Sequence, residues 1–254
     1  MVKFTIDNKE IEVTEGTTVL EAAEKLSIYI PTLCHHQALK PYGGCRLCVV
    51  EVTKNGKTDL TTSCTYRAEE GLCVRTDTER VLKVRRLVLE LLLAEAPDAQ
   101  EIKDLASEMG VSRSERLKPR KDDLCILCGR CIRACREVVG VNAIDYAERG
   151  YDRKVAPPFY KSSPDCIACG TCFYICPTGA VTMQEIEEGE KARSPEGKQV
   201  TGPARIMDSW KVTLPMKRCK QCGEVIAPDF QLEYLRKRAS LTEDYFDICP
   251  RCRE

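Results

Sequence analysis

The 17 cysteines of this 254-residue chain constrain its fold more than any other feature. Their number is odd, so a complete disulfide pairing is impossible, and most of them stand in C-x2-C spacings. The opening residues, MVKFTIDNKE, carry neither the apolar stretch nor the small-residue cleavage site of a signal peptide. We therefore expect a cytoplasmic chain whose thiols stay reduced and act as metal ligands.

Two cysteine runs share the spacing C-x2-C-x2-C-x3-C, at 125–135 and at 166–176. This spacing is typical of bacterial ferredoxins with two 4Fe-4S clusters, where the fourth cysteine of each run binds the other cluster. The crossed connection predicts a cluster-one set, which comprises Cys125, Cys128, Cys131 and Cys176. It also predicts a cluster-two set, which comprises Cys135, Cys166, Cys169 and Cys172. Zinc, which takes cysteines in two pairs, fits these runs less well.

Glycines stand at equivalent places in the two runs. Gly129 and Gly170 each follow the second cysteine, where the backbone has to turn tightly around a cluster. The last cysteine of the second run is followed by Pro177, whereas Arg136 follows the last cysteine of the first run. The two runs are therefore an internal repeat with one departure.

A further N-terminal set has unequal gaps and comprises Cys34, Cys45, Cys48 and Cys64. The plant-type 2Fe-2S spacing C-x4-C-x2-C with a distant fourth cysteine fits it only loosely, and zinc is the alternative. Gly43 and Gly44 precede Cys45, where backbone amides can approach sulfur. His35 and His36 are the only histidines. Because four cysteines are present, we expect them to be structural or hydrogen-bonding rather than Rieske-type ligands.

Four stretches together resemble the iron–sulfur region of one family: PTLCHHQALKPYGGCRLCVVEV, LVLELLLA, KDLASEMGV and CILCGRCIRACREVVGVNAI. The family comprises the large iron–sulfur subunit of respiratory complex I, iron-only hydrogenases and the diaphorase small subunit of bidirectional hydrogenases. The resemblance runs from Met1 to about Thr182. It implies an N-terminal β-grasp domain in which the N-terminal set binds a 2Fe-2S cluster.

The same family usually has a 4Fe-4S site with one histidine and three cysteine ligands between the second and third of these stretches. Here the intervening AEAPDAQEI contains neither residue type. We therefore expect this cluster to be missing and one electron path to be rerouted or lengthened.

The chain ends with a tail set, which comprises Cys219, Cys222, Cys249 and Cys252. Two such C-x2-C knuckles can supply a tetrahedral four-sulfur zinc site. The insert between them exceeds the usual fifteen to twenty residues. The motifs CxxCG and CPxC also resemble rubredoxin, so mononuclear iron or a further iron–sulfur cluster are alternatives to zinc. Cys73 belongs to no set, and we predict a buried strand thiol.

Periodicity predicts an α+β chain. VKFTI and EIEV form a hairpin, and CVVEV and LCVRT form strands on either side of a turn at 54–56. Helices are predicted in VLEAAEKLSI, at 80–94, at 99–109 and in DFQLEYLRKRAS. The predicted parts are a 2Fe-2S ferredoxin-like domain (1–78), a helical connector (79–120), a two-cluster 4Fe-4S ferredoxin domain (121–185), a linker (186–216) and a zinc-ribbon-like unit (217–254).

Composition limits the function. The chain has 39 Lys and Arg residues and 39 Asp and Glu residues, so its formal net charge is zero. No overall positive charge therefore favours nucleic-acid binding. LVLELLLA is interrupted by Glu90 and too short for membrane insertion. The sequence contains no GxGxxG or Walker motif, so it predicts no nucleotide pocket, and it has no recognisable set of catalytic residues.

These observations predict an electron-transfer subunit with one 2Fe-2S cluster, two 4Fe-4S clusters and one zinc. The resemblance implies a flavoprotein partner that uses FMN and NAD(P)H. It also implies a further redox partner, such as a hydrogenase, a formate dehydrogenase or ferredoxin, and the trimmed chain suits an electron-bifurcating complex. A freestanding polyferredoxin carrier and a metal- or redox-sensing regulator are the alternative functions.

Overall fold

The computed structural model describes residues 1–120 and 124–253, which form two compact units. The first unit comprises residues 1–130 and 177–180, and the second comprises 131–176 and 181–254. The predicted start of the 4Fe-4S domain at residue 121 and the predicted end of the C-terminal unit at residue 254 lie outside the described residues. No helix in the described part of the chain is both long and apolar enough to cross a bilayer.

A five-stranded mixed sheet forms the N-terminal part of the first unit. In chain order its strands are β1 (Val2–Ile6), β2 (Lys9–Val13), β3 (Val49–Lys54), β4 (Lys57–Thr62) and β5 (Cys73–Arg75). Their order across the sheet is β2-β1-β5-β3-β4, with β1 and β5 parallel and the other pairs antiparallel. Asp7 and Asn8 adopt left-handed conformations in the β1–β2 turn. The predicted hairpin and the α+β class are thus confirmed.

The predicted arrangement around the second turn is wrong, because it leaves out β4. Asn55 and Gly56, with φ of 50° and 74°, join β3 to β4, and the predicted strand LCVRT is β5, farther along the chain. Two consecutive residues with positive φ are typical of a tight hairpin turn. The sequence of β4, KTDLTT, is mostly polar because this strand lies at the sheet edge.

Three helices of the first unit follow the prediction closely. They are α1 (Val19–Lys25), α2 (Glu79–Glu95) and α3 (Gln100–Glu108). A capping box begins α1: the Glu21 backbone N–H donates to the Thr18 hydroxyl, and the Glu21 carboxylate accepts from the Thr18 backbone N–H at 2.6 Å. The buried face of α1 belongs to the same apolar core as the sheet. A second buried cluster joins α2 and α3 to the cysteine loops.

Short elements make up the rest of the described chain. The helices are α4 (Arg130–Arg133), α5 (Thr171–Tyr174), α6 (Asp229–Arg238) and α7 (Pro250–Arg253), with a π-helical turn at Ala134–Val139. The strands are β6 (Asp145–Ala147), β7 (Lys154–Ala156), β8 (Gln184–Ile186), β9 (Lys191–Arg193), β10 (Gln199–Thr201), β11 (Ala204–Met207), β12 (Val212–Arg218) and β13 (Val225–Pro228). The predicted C-terminal helix is confirmed as α6.

The segment 186–216, predicted to be a linker, contains strands. An antiparallel sheet has the order β13-β12-β11-β8, and β9 pairs with β10. Ala204 and Ile206 of β11 are buried, so this sheet has an apolar face of its own. The strands are short and separated by Gly, Pro and charged residues, which hide their alternation in the sequence.

Candidate metal centres

The sulfurs of the N-terminal set converge in the first unit. Cys34 lies in the loop after α1, Cys45 and Cys48 precede β3, and Cys64 follows β4. All four are buried, with at most 9% of any residue exposed. The Cys45 backbone N–H donates to the Cys34 sulfur at 3.4 Å, and the Cys48 and Cys64 sulfurs are 3.3 Å apart. The sheet and its loops therefore bring together all four predicted ligands.

Hydrogen bonds among these sulfurs set their protonation. Hydrogen bonds with Cys45 and Cys64 lower the pKa of Cys34 to about 2, and the hydrogen bond with Cys64 lowers the pKa of Cys48 to about 6. The same hydrogen bonds and burial raise the pKa values of Cys45 and Cys64. Negative charge is thus stabilised in a buried pocket of sulfur donors, which is the chemistry that binds iron or zinc.

Close packing surrounds the loop that carries Cys45. Gly43 has a φ of 68°, and a Cβ atom there would lie 3.1 Å from the Thr65 side chain. Thr65 follows Cys64, and its hydroxyl is 2.6 Å from that of Thr62. Gly43 therefore permits both the left-handed turn and the approach of this loop to the chain around Cys64.

Both histidines take part in hydrogen bonds. The Ala38 N–H donates to the His36 Nδ1 at 3.2 Å, and the backbone carbonyl of His35 accepts from the Arg130 guanidinium. The first contact agrees with the hydrogen-bonding role predicted for His36.

The two four-cysteine runs share a backbone conformation. Leu127 and Ala168 stand at equivalent positions and have φ of 52° and 49°. Gly129 and Gly170 are also equivalent and have φ of 71° and 75°. Left-handed residues are unusual outside glycine, and their repetition indicates that both loops are wound in the same way.

The cluster-two set lines one cavity in the second unit. The cavity is narrow and partly open to solvent, and apolar side chains from several elements complete its wall. The lining residues include all four cysteines of this set. Cys135, the fourth cysteine of the first run, therefore lies with the first three cysteines of the second run.

Burial raises the pKa values of thiols in this cavity. It raises the pKa of Cys166 to about 11 and that of Cys172 to about 12. Burial also raises the pKa of Cys135, whose sulfur accepts from the Ala143 N–H at 3.2 Å. Such thiols lose their protons when a metal supplies the compensating positive charge.

The cluster-one set is divided between the two compact units. Cys125 and Cys128 are in the first, where Cys128 shares a buried cluster with Cys34 and Cys45. Cys131 and Cys176 are in the second. The assignment of these four cysteines to one cluster remains a prediction.

Sequence reasoning missed two side chains that contact the cluster-two loop. Trp210 Nε1 donates to the Cys172 sulfur at 3.1 Å, and Arg205 donates to the Ala168 carbonyl at 2.8 Å. Both belong to the segment predicted to be a linker. The one available signal was that the chain's single tryptophan lies there.

The tail set forms a compact group of sulfurs that all lie within 4.8 Å of one another. One knuckle connects β12 to β13, and the other begins at Cys249 and continues into α7. The Cys249 N–H donates to the Cys219 sulfur at 3.2 Å and lowers the pKa of Cys219 to about 6. Asp247 joins the knuckles by accepting from Lys217 and Lys220 at 2.7 and 2.6 Å. Four sulfurs so arranged suit zinc or iron.

Cys73 lies in a strand, as predicted, but is half-buried rather than buried. Side chains alternate along a strand, and its neighbour Val74 faces the core with no exposed surface. Cys73 therefore points to the opposite face of β5.

Two family models match the chain. One, described as a 2Fe-2S iron-sulfur cluster binding domain, matches residues 1–79. The other, described as a 4Fe-4S dicluster domain, matches residues 124–180. These matches agree with the positions of the N-terminal set and the two repeated runs.

Similar proteins include an NADH-quinone oxidoreductase subunit of Rhizobium meliloti, 36% identical over 71% of this chain and 24% of its own length. The HndD subunit of the NADP-reducing hydrogenase of Solidesulfovibrio fructosivorans is 37% identical over 73% of this chain and 36% of its own length. The chain thus spans between a quarter and about a third of these relatives.

A solved structure is also similar: the crystal structure of an NAD+-reducing [NiFe]-hydrogenase in the H2-reduced state. The matching chain is 34% identical and has a TM-score of 0.59. The match covers 70% of this chain and 86% of the hydrogenase chain.

Gly43→Ala should destabilise the protein more than Gly56→Ala and reduce its 2Fe-2S content. Both positions have φ near 70°, which costs an L residue about 1–2 kcal/mol, but only Gly43 has an atom close to the new Cβ. Denaturation and visible absorption of the purified variants measure the two effects. Equal 2Fe-2S content in both variants would contradict the role given to the close approach.

Cys249→Ser should remove the metal of the tail set, while Cys73→Ser should leave it in place. The Cys249 sulfur and N–H both take part in the sulfur group, whereas Cys73 lies outside every set. Metal analysis by mass spectrometry should show the same tail metal content in the parent protein and in the Cys73 variant. Unchanged tail metal content in the Cys249 variant would be the contrary result.

Proposed function

Because the chain belongs to the family of iron–sulfur subunits of NAD(P)H-linked oxidoreductases and hydrogenases, we propose that it relays single electrons between two partners. One partner is an NAD(P)H-oxidising flavoprotein that carries FMN. The other is a hydrogenase, a formate dehydrogenase or ferredoxin. The proposal extends to a cytoplasmic complex of the electron-bifurcating type.

The cavity lined by the cluster-two set carries this proposal. A crossed connection between two cysteine runs is a property of two-cluster ferredoxins, and a zinc site would not require it. The equivalent left-handed residues in the two runs support cubane binding by both loops. Iron–sulfur clusters, when bound, accept and release single electrons at potentials that the surrounding protein adjusts.

The chain's own residues hold, shield and orient the cluster ligands. Burial of the N-terminal set excludes water from its sulfurs, and backbone N–H groups donate to Cys34 and Cys135. Such hydrogen bonds stabilise negative charge on sulfur and so favour the reduced state.

Neighbouring ligands in the first unit support a path without the missing histidine-ligated cluster. Cys128 shares an apolar cluster with Cys34 and Cys45, and Arg130 donates to the His35 carbonyl. Between α2 and α3, Ala96 and Ala99 are fully buried in that same cluster. We propose that electrons pass directly between the 2Fe-2S site and the cluster-one site.

The tail set is proposed to bind zinc in a structural role. Zinc has no redox chemistry and accepts four thiolates in a closed tetrahedral site. In this proposal the tail metal organises the C-terminal part of the second unit and takes no part in electron transfer.

Cys135→Ser should damage the same cluster as Cys169→Ser and leave intact the one damaged by Cys128→Ser. The reason is that Cys135 lines the cavity that contains Cys169. Iron content should fall from about ten to about six atoms per chain if the cluster is lost. Electron paramagnetic resonance of the reduced variants identifies the missing signal, with Cys73→Ser as the control. If Cys135→Ser lost the signal that Cys128→Ser loses, the crossed assignment would be wrong.

NADH and NADPH should reduce the purified chain only when an FMN-containing partner flavoprotein is added, whereas dithionite should reduce it directly. The sequence has no dinucleotide-binding fingerprint, so hydride oxidation is assigned to the partner. Cluster bleaching under anaerobic conditions reports the reduction. Rapid reduction of the isolated chain by either nucleotide would refute this division of labour.

A further inference from the structure

The single tryptophan of the chain makes an unusual contact in the second unit. Trp210 is 4% exposed, and its Nε1–H donates to the Cys172 sulfur at 3.1 Å. Its side chain also lines the cavity formed by the cluster-two set. Indole N–H is only a donor, so its direction in this hydrogen bond is fixed.

The turn that carries Trp210 is held by several polar contacts. Asp208–Trp210 is a 3-10 turn between β11 and β12. The Gln184 side chain donates to the Asp208 carboxylate at 3.0 Å. The Thr182 N–H donates to the Ser209 hydroxyl at 2.9 Å. These contacts restrict the turn and therefore the position of the indole.

A neighbouring side chain fixes the other partner of the contact. The Arg205 guanidinium donates to the Ala168 carbonyl at 2.8 Å and forms an ion pair with Glu185 at 2.7 Å. Ala168 is one of two left-handed residues in the loop that leads to Cys172. The donor and the acceptor of the N–H···S bond are therefore each held independently.

We propose that Trp210 is a positioning residue that raises the reduction potential of the 4Fe-4S cluster bound by the cluster-two set. This inference rests on the proposed function. Reduction adds one electron to the cluster and breaks no bond. The added negative charge spreads onto the sulfurs, so a fixed N–H donor stabilises the reduced state more than the oxidised state.

The indole also occupies space, and burial alone affects a cluster potential. Removing the N–H while keeping an aromatic ring separates these two contributions. Trp210→Phe makes this change approximately. Because the chain has one tryptophan, uniform incorporation of benzothienylalanine makes it at this position alone, with sulfur in place of the N–H and nearly the same shape.

Met207→Leu provides the matched control. Met207 is 1% exposed and lines the same cavity, and it has no N–H or O–H in its side chain to donate. The variant therefore changes the apolar wall and leaves the Trp210 hydrogen bond in place.

The experiment is an anaerobic redox titration of the full chain, monitored by electron paramagnetic resonance. The signal that Cys169→Ser removes identifies the cluster concerned. Trp210→Phe and the benzothienylalanine protein should both lower its potential. At a fixed ambient potential the oxidised-to-reduced ratio should rise up to about tenfold, which is about 59 mV for a one-electron couple. Met207→Leu should shift the potential of this cluster much less.

Two different failures can be told apart. A benzothienylalanine protein with an intact cluster and a shift no larger than that of Met207→Leu would overturn the role of Trp210. Absence of any 4Fe-4S signal from the reconstituted parent chain would instead overturn the proposed function. Because benzothienylalanine preserves the shape of the side chain, the first outcome can be read even if Trp210→Phe does not fold.

Discussion

The gathering of thiol groups in buried loops is the constraint on which the rest of this structure depends. A thiolate is costly to bury without a compensating charge, and a loop can direct several sulfurs inward only by unusual backbone turns. Left-handed residues recur at equivalent places in the two repeated runs. Hydrogen bonds from backbone N–H groups then fix individual sulfurs.

The parts governed by spacing were predictable. The repeated spacing is typical of two-cluster ferredoxins, in which the fourth cysteine of each run binds the other cluster, so the position of Cys135 among the cysteines of the second run was predictable. The α1 and α2 helices were also predictable from the sequence, because each follows a threonine that caps it and shows helical periodicity. The family resemblance supplied the function of the N-terminal set, whose unequal gaps are weakly diagnostic by themselves.

The missed parts are strands and contacts that lack a clear local sequence pattern. The edge strand β4 is mostly polar, and β11 and β12 lie among Gly, Pro and charged residues that resemble a linker. Their identity as strands is fixed by pairing with neighbouring strands, which the periodicity of a single segment cannot show. Trp210 was missed for the same reason, because its contact with Cys172 exists only once this sheet has formed. The half-buried state of Cys73 likewise follows from which face of β5 meets the core.

Other long-range contacts connect the tail to the cluster-two cavity. Helix α6 lies in the chain segment between the two knuckles of the tail set, so a bound metal closes the loop that contains it. From this helix, Tyr234 donates to the Val139 carbonyl at 2.7 Å, and Arg238 donates to the same carbonyl. Val139 lines the cavity and ends the π-helical turn that carries Cys135. A metal bound by the tail set would therefore stabilise one wall of the cluster-two cavity.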